Sequence, residues 1–442
     1  MVYIIQSYRL VLLIFLVQLV VGALLITNRE GYVHKNIINL EVSANIPAQE
    51  IFALQELYLS TKGDEWTWRN STHGVPWNFT TNCNPCVEEW QGVTCKFDTQ
   101  NSSQHIVDIS LIYYNLNGPL PNSLVKLSKL ERFVVSFNNI CGTIPPCLGN
   151  ATALQYLQLS YNNLTGTIPA SLGQLYNLKY LWLYNNTELT GSIPAELGDL
   201  SMLRELDLGH TALTGTIPAS FGQVHSLNFL WLFYNPGLTG PIPAELGNLS
   251  ELIELYLGHT ALSGTIPATL GQLHKLKVLW LEYNAELTGP IPAELGNLRQ
   301  LDLSFTAITG TIPSTLGQLY NLQILWLESN AQLTGPIPPE LSQISKLIEL
   351  DLSEASLTGT IPSSLGNLTL LTIALLDDNF LTGSVPGSFE QLAQLGQLYL
   401  DHNLLSGSLP ASLSALTKLL ELHLQNTKLS GTLDGIFSSD TQ

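Results

Sequence analysis

The sequence predicts an α/β solenoid, a stack of similar units that each contribute one short strand. Three observations predict it. The chain aligns on itself as fourteen units, starting at Ile106, Leu130, Leu154, Leu178, Leu203, Leu227, Leu252, Leu276, Leu298, Leu322, Leu347, Leu371, Leu395 and Leu419. Inside each unit apolar residues, mostly leucines, alternate with other types, the period of a strand with one buried face. A Gly and then a Pro follow in every unit but the last, punctuating the strand with a turn. At 442 residues an ordinary chain would divide into several domains, whereas a solenoid lengthens without thickening its core.

The unit beginning at Leu154 shows how each element arises. Leu157 and Leu159 flank Gln158, which faces away from the core. Asn162, at position 9, closes the strand with an amide able to bond backbone groups in the turn. Gly166 permits that turn, and Pro169 stops a helix or central strand from continuing. Leu172 and Leu175 then return to the interior. One unit cannot bury these leucines alone; stacking buries them against its neighbours.

The run Asn163-Leu164-Thr165-Gly166-Thr167-Ile168-Pro169 resembles the plant-type leucine-rich repeat of receptor-like kinases, receptor-like proteins and polygalacturonase inhibitors. The resemblance covers residues 106 to about 433 of the 106–442 solenoid segment. It implies a right-handed superhelix with a parallel sheet on its concave side and loops or short 3₁₀ turns outside. Residues 47–105 then form the N-terminal cap. Pro47 suits a helix start, with Ile51, Leu54, Leu57 and Tyr58 at helical spacing before Gly63 ends it. Pro85-Cys86 followed by Trp90-Gln91-Gly92-Val93-Thr94-Cys95 is similar to that family's cap signature, and the similarity implies a Cys86–Cys95 disulfide. The last unit departs from the pattern, reading Gly431-Thr432-Leu433-Asp434 without its Pro. A partner covering that end, or a longer parent chain, would account for it.

Five cysteines leave at least one without an intrachain partner. Cys141 and Cys147 are not expected to pair. An extended segment between them separates them by about 15 Å, whereas a disulfide needs Cα atoms within about 7 Å. Both are expected as free, buried thiols, and Cys83 has no assigned partner. No suitably placed His stands near Cys83, Cys86 and Cys95, and no metal or cofactor is expected.

Arg9 precedes an apolar run from Leu10 to Val21, and Val21-Gly22-Ala23 offers a cleavage site, so residues 1–23 read as a secretory signal with a linker at 24–46. An uncleaved signal anchor is the alternative, because Leu10 to Ile26 nearly reaches spanning length. No second run of membrane length follows, so the membrane enters only through that anchor or a missing C-terminal segment. Sequons at Asn70, Asn78, Asn101, Asn150, Asn163, Asn185, Asn248 and Asn367 agree with secretion or display at the cell surface. Seventeen Lys and Arg against 35 Asp and Glu give a formal charge of −18. So acidic a chain argues against nucleic acid or anionic lipid as partner, both of which need clustered cations.

Within the array a larger period appears. The units at Leu178, Leu227, Leu276 and Leu322 carry Trp at position 5: Trp182, Trp231, Trp280 and Trp326. The units between them hold Thr211, Thr260, Thr306 and Ala355 where Asn is expected, so the building block is a pair. The unit at Leu276 lacks about three outer-side residues. Position 5 lies between two buried leucines, so its side chain is expected in the concave solvent. Tyr180, Tyr184, Phe229, Phe233, Tyr234, Tyr283 and Phe305 surround the tryptophans. Between them stand Glu205, Asp207, Glu254, Tyr256, Asp302, Glu349, Asp351 and the histidines His210 and His259.

Exposed aromatics at this density mark a binding surface. The predicted ligand-binding set is Tyr180, Trp182, Tyr184, Asp207, Phe229, Trp231, Phe233, Tyr234, Tyr256, Trp280, Tyr283, Asp302 and Trp326. Ring faces suit sugar C–H groups, cations or peptides, and carboxylates suit hydroxyls or Lys/Arg. The competing reading is that duplication copied the tryptophans and the rings merely pack along the sheet. Catalysis is not expected. His210 and His259 sit two units apart, and Glu205, Asp207 and Glu254 lie on an open face without a pocket. The function expected is an extracellular or cell-surface recognition scaffold, receptor-ectodomain-like, for a peptide, protein or glycan. The alternative is a secreted structural or adhesive wall protein, or an inhibitor of a secreted hydrolase.

Overall fold

The computed structural model describes residues 46–79, 83–100 and 102–431. The expected leader, nearly all of the linker and the Asn101 sequon lie outside them.

The cap is built on one helix, α1 (Ala48–Ser60), entered from Pro47 and closed at Thr61. Ala53, Leu54 and Leu57 face inward, and so does Glu50, which is fully buried. Its carboxylate is satisfied on both oxygens: Ile106 donates its backbone N–H at 2.9 Å, and His105 Nδ1 lies at 2.6 Å. Glu50 therefore ties the helix to the strand that opens the stack. Trp66, Trp77 and Trp90 form a buried cluster, with Trp77 and Trp90 stacked at 5.7 Å. Cys86 and Cys95 are disulfide-bonded, Cα atoms 5.7 Å apart. Cys141 and Cys147 are free, as is Cys83. All three are half-buried rather than buried, which corrects the expectation for Cys141 and Cys147. Cys147 stays near the surface because it lies in an outer turn, where its thiol reaches the Asn122 carbonyl.

Strand β1 (Val93–Asp98) pairs antiparallel with β2 (Ser103–Ser110), and every later strand adds in parallel, giving fifteen strands among the described residues. Register is uniform: Leu206 lies beside Leu181 and Leu230, with Asp207 beside Trp182 and Trp231. Equivalent residues of successive units therefore form rows along the sheet, one rung every ~4.8 Å. The leucine rows are fully buried, as are Leu181, Leu230 and Leu279.

The asparagine at position 9 makes the stack cohere. Asn235 donates Nδ2 to the Leu232 and Leu208 carbonyls and accepts from the Leu213 N–H, so it joins two units. Thr211 donates its hydroxyl to Asn235 Oδ1 at 2.6 Å, and Thr306 repeats this with Asn330. The two-unit period thus has a physical basis. The shorter Thr is tolerated because the next unit's Asn completes its hydrogen bonding.

Outside the concave sheet the structure holds more order than loops and turns. The Leu-Thr-Gly segments form a second parallel layer, nine strands ending at Ala307–Ile308, then a separate three-stranded sheet from Gly310–Thr311. Threonine hydroxyls staple it, as Thr190 does to the Gly166 carbonyl at 3.1 Å. The break follows the shortened unit. Where its neighbours have a 3₁₀ helix (Ala268–Gln272, Ser314–Gln318), residues 293–297 form only a turn. A surface cavity of about 500 Å³ opens there beside His274, Glu294 and Tyr320.

Candidate ligand-binding face

Three rows of side chains project from the concave sheet, at positions 3, 5 and 7, and a fourth, position 8, lines its edge. The expectation for position 5 needs correction. Trp231 and Trp280 are only 6% and 5% exposed, and Tyr184, Phe233, Asp207 and Asp302 are buried as well. Rungs ~4.8 Å apart are near van der Waals contact for large side chains, so neighbours cover one another. Tyr256 stacks between the two tryptophans, 5.8 Å from Trp231 and 4.4 Å from Trp280, each at 15°. These two rings are therefore packed along the sheet rather than free in the concave solvent. Tyr180, Trp182, Phe229, Tyr234, Tyr256 and Trp326 are half-buried, and Tyr283 is exposed.

The structure does bring the predicted residues together on one face. Trp182 and Trp231 donate Nε1–H to Glu205 and Glu254 on the following strands, at 3.1 and 3.2 Å. Position 7 alternates small and large, because each large side chain leans over the small one before it. A Cβ on Gly209 would meet the Phe233 ring at 2.8 Å, and one on Gly258 would collide with the Glu282 carboxylate.

Two features escaped the reading of the sequence. At position 8 the backbone turns left-handed in unit after unit, including Tyr161, His210, Tyr234, His259 and Tyr283, a conformation costly for residues with a side chain. Their rings stack along the edge: His210 to Tyr234 at 4.6 Å, Tyr234 to His259 at 4.0 Å, His259 to Tyr283 at 4.2 Å. Burial, with His210 nearby, lowers the His259 imidazole to about 4. At the N-terminal end Tyr113, Phe137 and Tyr161 continue the row beside Asn139 and Asn163, lining a groove of about 470 Å³.

The second feature is a run of carboxylates at position 7 in the later units: Glu282, Glu328, Asp377 and Asp401. They join Asp302 and Asp351 of position 5. A count of residues at position 7, as well as at position 5, would have found them. Burial pushes Asp302 to about 7 and Asp351 to about 6, each raised further by neighbouring carboxylates despite hydrogen bonds from Ser304 and Ser353. Burial, then Asp351, Glu354, Asp302 and Asp377, pushes Glu328 to about 8. Glu282 rises through burial and Asp302. In the aromatic half, burial lifts Glu205 to about 7 and Asp207 to about 8.

Among the described residues no group of three or more His, Cys, Asp or Glu is arranged to hold a metal ion. No helix there is long and apolar enough to cross a membrane. Of the described sequons, Asn70, Asn78, Asn150, Asn163, Asn248 and Asn367 are exposed, and Asn185 is half-buried.

A family model for a leucine-rich repeat region matches residues 160–290, and a leucine-rich repeat model matches 129–151, 297–319 and 346–368. No curated protein sequence matches the chain. Among solved structures, the plant peptide hormone receptor RGFR1 in complex with RGF2 is 34% identical. Its TM-score is 0.69, over 77% of this chain and 61% of that one. The ectodomain of the Arabidopsis receptor kinase HAESA, in complex with an N-terminally extended IDA peptide hormone ligand, is 31% identical. Its TM-score is 0.66, over 87% of this chain and 66% of that one. A leucine-rich-repeat protein of Leptospira interrogans is 32% identical, with a TM-score of 0.59 over 73% of this chain and 78% of that one. The chain therefore spans less than two thirds of the RGFR1 chain.

Proposed function

The chain belongs to the leucine-rich-repeat family, with units of the plant type, and we propose that it is an extracellular or cell-surface recognition protein that binds a peptide or protein ligand along its concave sheet. One observation carries this reading. Aromatic and carboxylate side chains fill position 5 without a break from Trp182 to Asp351 and recur at positions 3, 7 and 8 of one parallel sheet, where Trp182, Tyr256, Tyr283 and Trp326 keep accessible surface. Such a surface supplies apolar contact and hydrogen bonding at low entropic cost, because the stacked rings are already ordered. Peptide-hormone complexes among the similar solved structures support a peptide or protein as ligand.

The raised carboxylates do not make the face an enzyme. Clusters of shifted acids accompany active sites, but structural networks shift them equally. Here burial arises from side-chain stacking rather than from a cleft that would hold a reacting group.

The test is an array of peptides, proteins and glycans probed with the purified protein. Trp182→Ala and Tyr256→Ala, whose rings are half-buried, should each weaken a captured peptide or protein by about 2 kcal/mol. Capture of glycans alone would favour the adhesive or wall-protein alternative. Unaltered binding by both variants would overturn the concave-face reading.

A further inference from the structure

We infer that the C-terminal half of the concave face, centred on Trp280, Glu282, Asp302 and Glu328, is a site for a peptide segment bearing arginine or lysine. The inference rests on the peptide-recognition reading above and names the ligand chemistry it implies.

From Val278 to Asp401, positions 3, 5 and 7 carry seven carboxylates: Glu282, Asp302, Glu328, Glu349, Asp351, Asp377 and Asp401. The same positions carry no Lys or Arg. Glu282, Asp302 and Asp351 are each at least 96% buried. Charges taken out of water without an opposite charge are costly, and these raise one another toward the neutral acid. A partner bringing cations relieves that cost. One bringing anions adds to it.

A second, independent observation points to a ligand at the same place. Trp182 and Trp231 give their indole N–H to a glutamate at the start of the next strand. At Trp280 that position belongs to Gln300, in the unit that follows the shortened one, and Trp280 Nε1 is buried without an acceptor. Two residues on, Glu282 Oε2 is buried without a donor. Trp280 and Glu282 project from the same face of one strand, ~7 Å apart along it. The concave face thus holds an unmet donor beside an unmet acceptor. Both atoms are covered in the free protein, so a ligand reaches them as the neighbouring side chains shift: a peptide carbonyl then satisfies the first, and a guanidinium or ammonium the second together with Asp302.

Geometry favours a chain of cations over a single ion. The seven carboxylates are spread over six successive rungs, Glu349 and Asp351 sharing one, and Glu282 and Glu328 stand two rungs, or ~10 Å, apart. A peptide in the polyproline II conformation advances ~3.1 Å per residue with about three residues per turn, so basic residues at every third position share one face and would meet them in step. Arginine fits better than lysine, because its planar fork donates to two carboxylates at once.

The experiment probes an array of short random peptides with the purified full chain, then resynthesises the tightest binder with citrulline for Arg and acetyl-lysine for Lys. Binders should be enriched in Arg and Lys. Neutralising them should weaken binding on the order of thirtyfold or more. Asp302→Asn and Glu328→Gln should weaken the parent peptide similarly yet leave the citrulline peptide unchanged. Circular dichroism and the melting midpoint confirm that both variants fold. Calorimetry in two buffers of different ionisation enthalpy should show protons released as the cationic peptide binds near neutral pH. Binders without cationic enrichment, or a citrulline peptide that binds as tightly, would overturn the inference and leave peptide recognition standing. An array on which no peptide binds would overturn the recognition reading and this inference with it.

Discussion

The two halves of the concave sheet share a backbone and differ in what one slot contains. In the aromatic half the large member at position 7 is Phe233, lying over Gly209; in the acidic half it is Glu282, lying over Gly258. The slot is the same and equally dry. A ring there adds dispersion and stacking with its neighbours, about 0.5–1.5 kcal/mol per aromatic pair beyond the area it buries. A carboxylate there brings desolvation and repulsion from Asp302, which a backbone hydrogen bond only partly offsets. Solenoid geometry amplifies whichever chemistry occupies a row, because each rung repeats it ~4.8 Å away.

The largest effect expected is common to both halves and calibrates the comparison. Leu230→Ala opens a cavity in a fully buried row and should cost roughly 2–5 kcal/mol in chemical denaturation. Trp231→Ala should follow at about 2–3 kcal/mol, since the ring is 6% exposed and supports Tyr256. A Trp231→Ala protein melting like the wild type would show that the stack is not structural.

Glu282→Phe converts the acidic slot into the aromatic one. Replacing a buried charge with an apolar group of similar size should stabilise by about 1 kcal/mol near pH 8 and by less near pH 5. Loss of stability at both pH values would show that Glu282 has a partner the comparison omits.

The melting midpoint should itself depend on pH. Asp207, Asp302, Glu328 and Asp377 have folded values raised to between about 7 and 8, against about 4 in an unfolded chain. The folded state therefore holds their protons more tightly. Their contribution is complete below about pH 4 and is lost as pH rises to about 8. His259, lowered to about 4, acts oppositely, removing stability as pH falls below about 6.5. Four carboxylates outweigh one imidazole, so these groups should place the highest midpoint near pH 4 and lower it by several degrees toward pH 8. Asp302→Asn should flatten the alkaline limb. A midpoint that climbs steadily from pH 5 to pH 8 would contradict this balance.

The smallest effect is a covalent check at the cap, away from both halves. Non-reducing peptide mapping should recover Cys86 linked to Cys95 and Cys141 and Cys147 unlinked, with little change in concave-face binding after mild reduction. A Cys141–Cys147 peptide would contradict the structure directly.

Much of this protein was legible in its residues. Leu157, Leu159, Asn162, Gly166 and Pro169 each do locally what their chemistry demands, and repetition makes local rules global. The solenoid, the strand positions, a helix starting at about Pro47 and the projection of Trp182 and Trp231 from the sheet face opposite the leucines followed from period and residue type. The cap and the concave parallel sheet followed from the family resemblance. Exposure did not follow. Whether Trp231 is a free ring or a packed one depends on Tyr256 in the next unit, about 25 residues away, and periodicity within one unit carries no information about that neighbour. The same holds for Glu50, an acid on an amphipathic helix until His105 and Ile106 close over it. The left-handed turns at Tyr234 and His259 were hidden for a related reason: stacking across rungs offsets a conformation their own side chains disfavour. The sequence alone determined which rows exist and what stands in them. Tertiary structure alone decided how dry each row is, because burial belongs to the stack of rungs and not to any one of them.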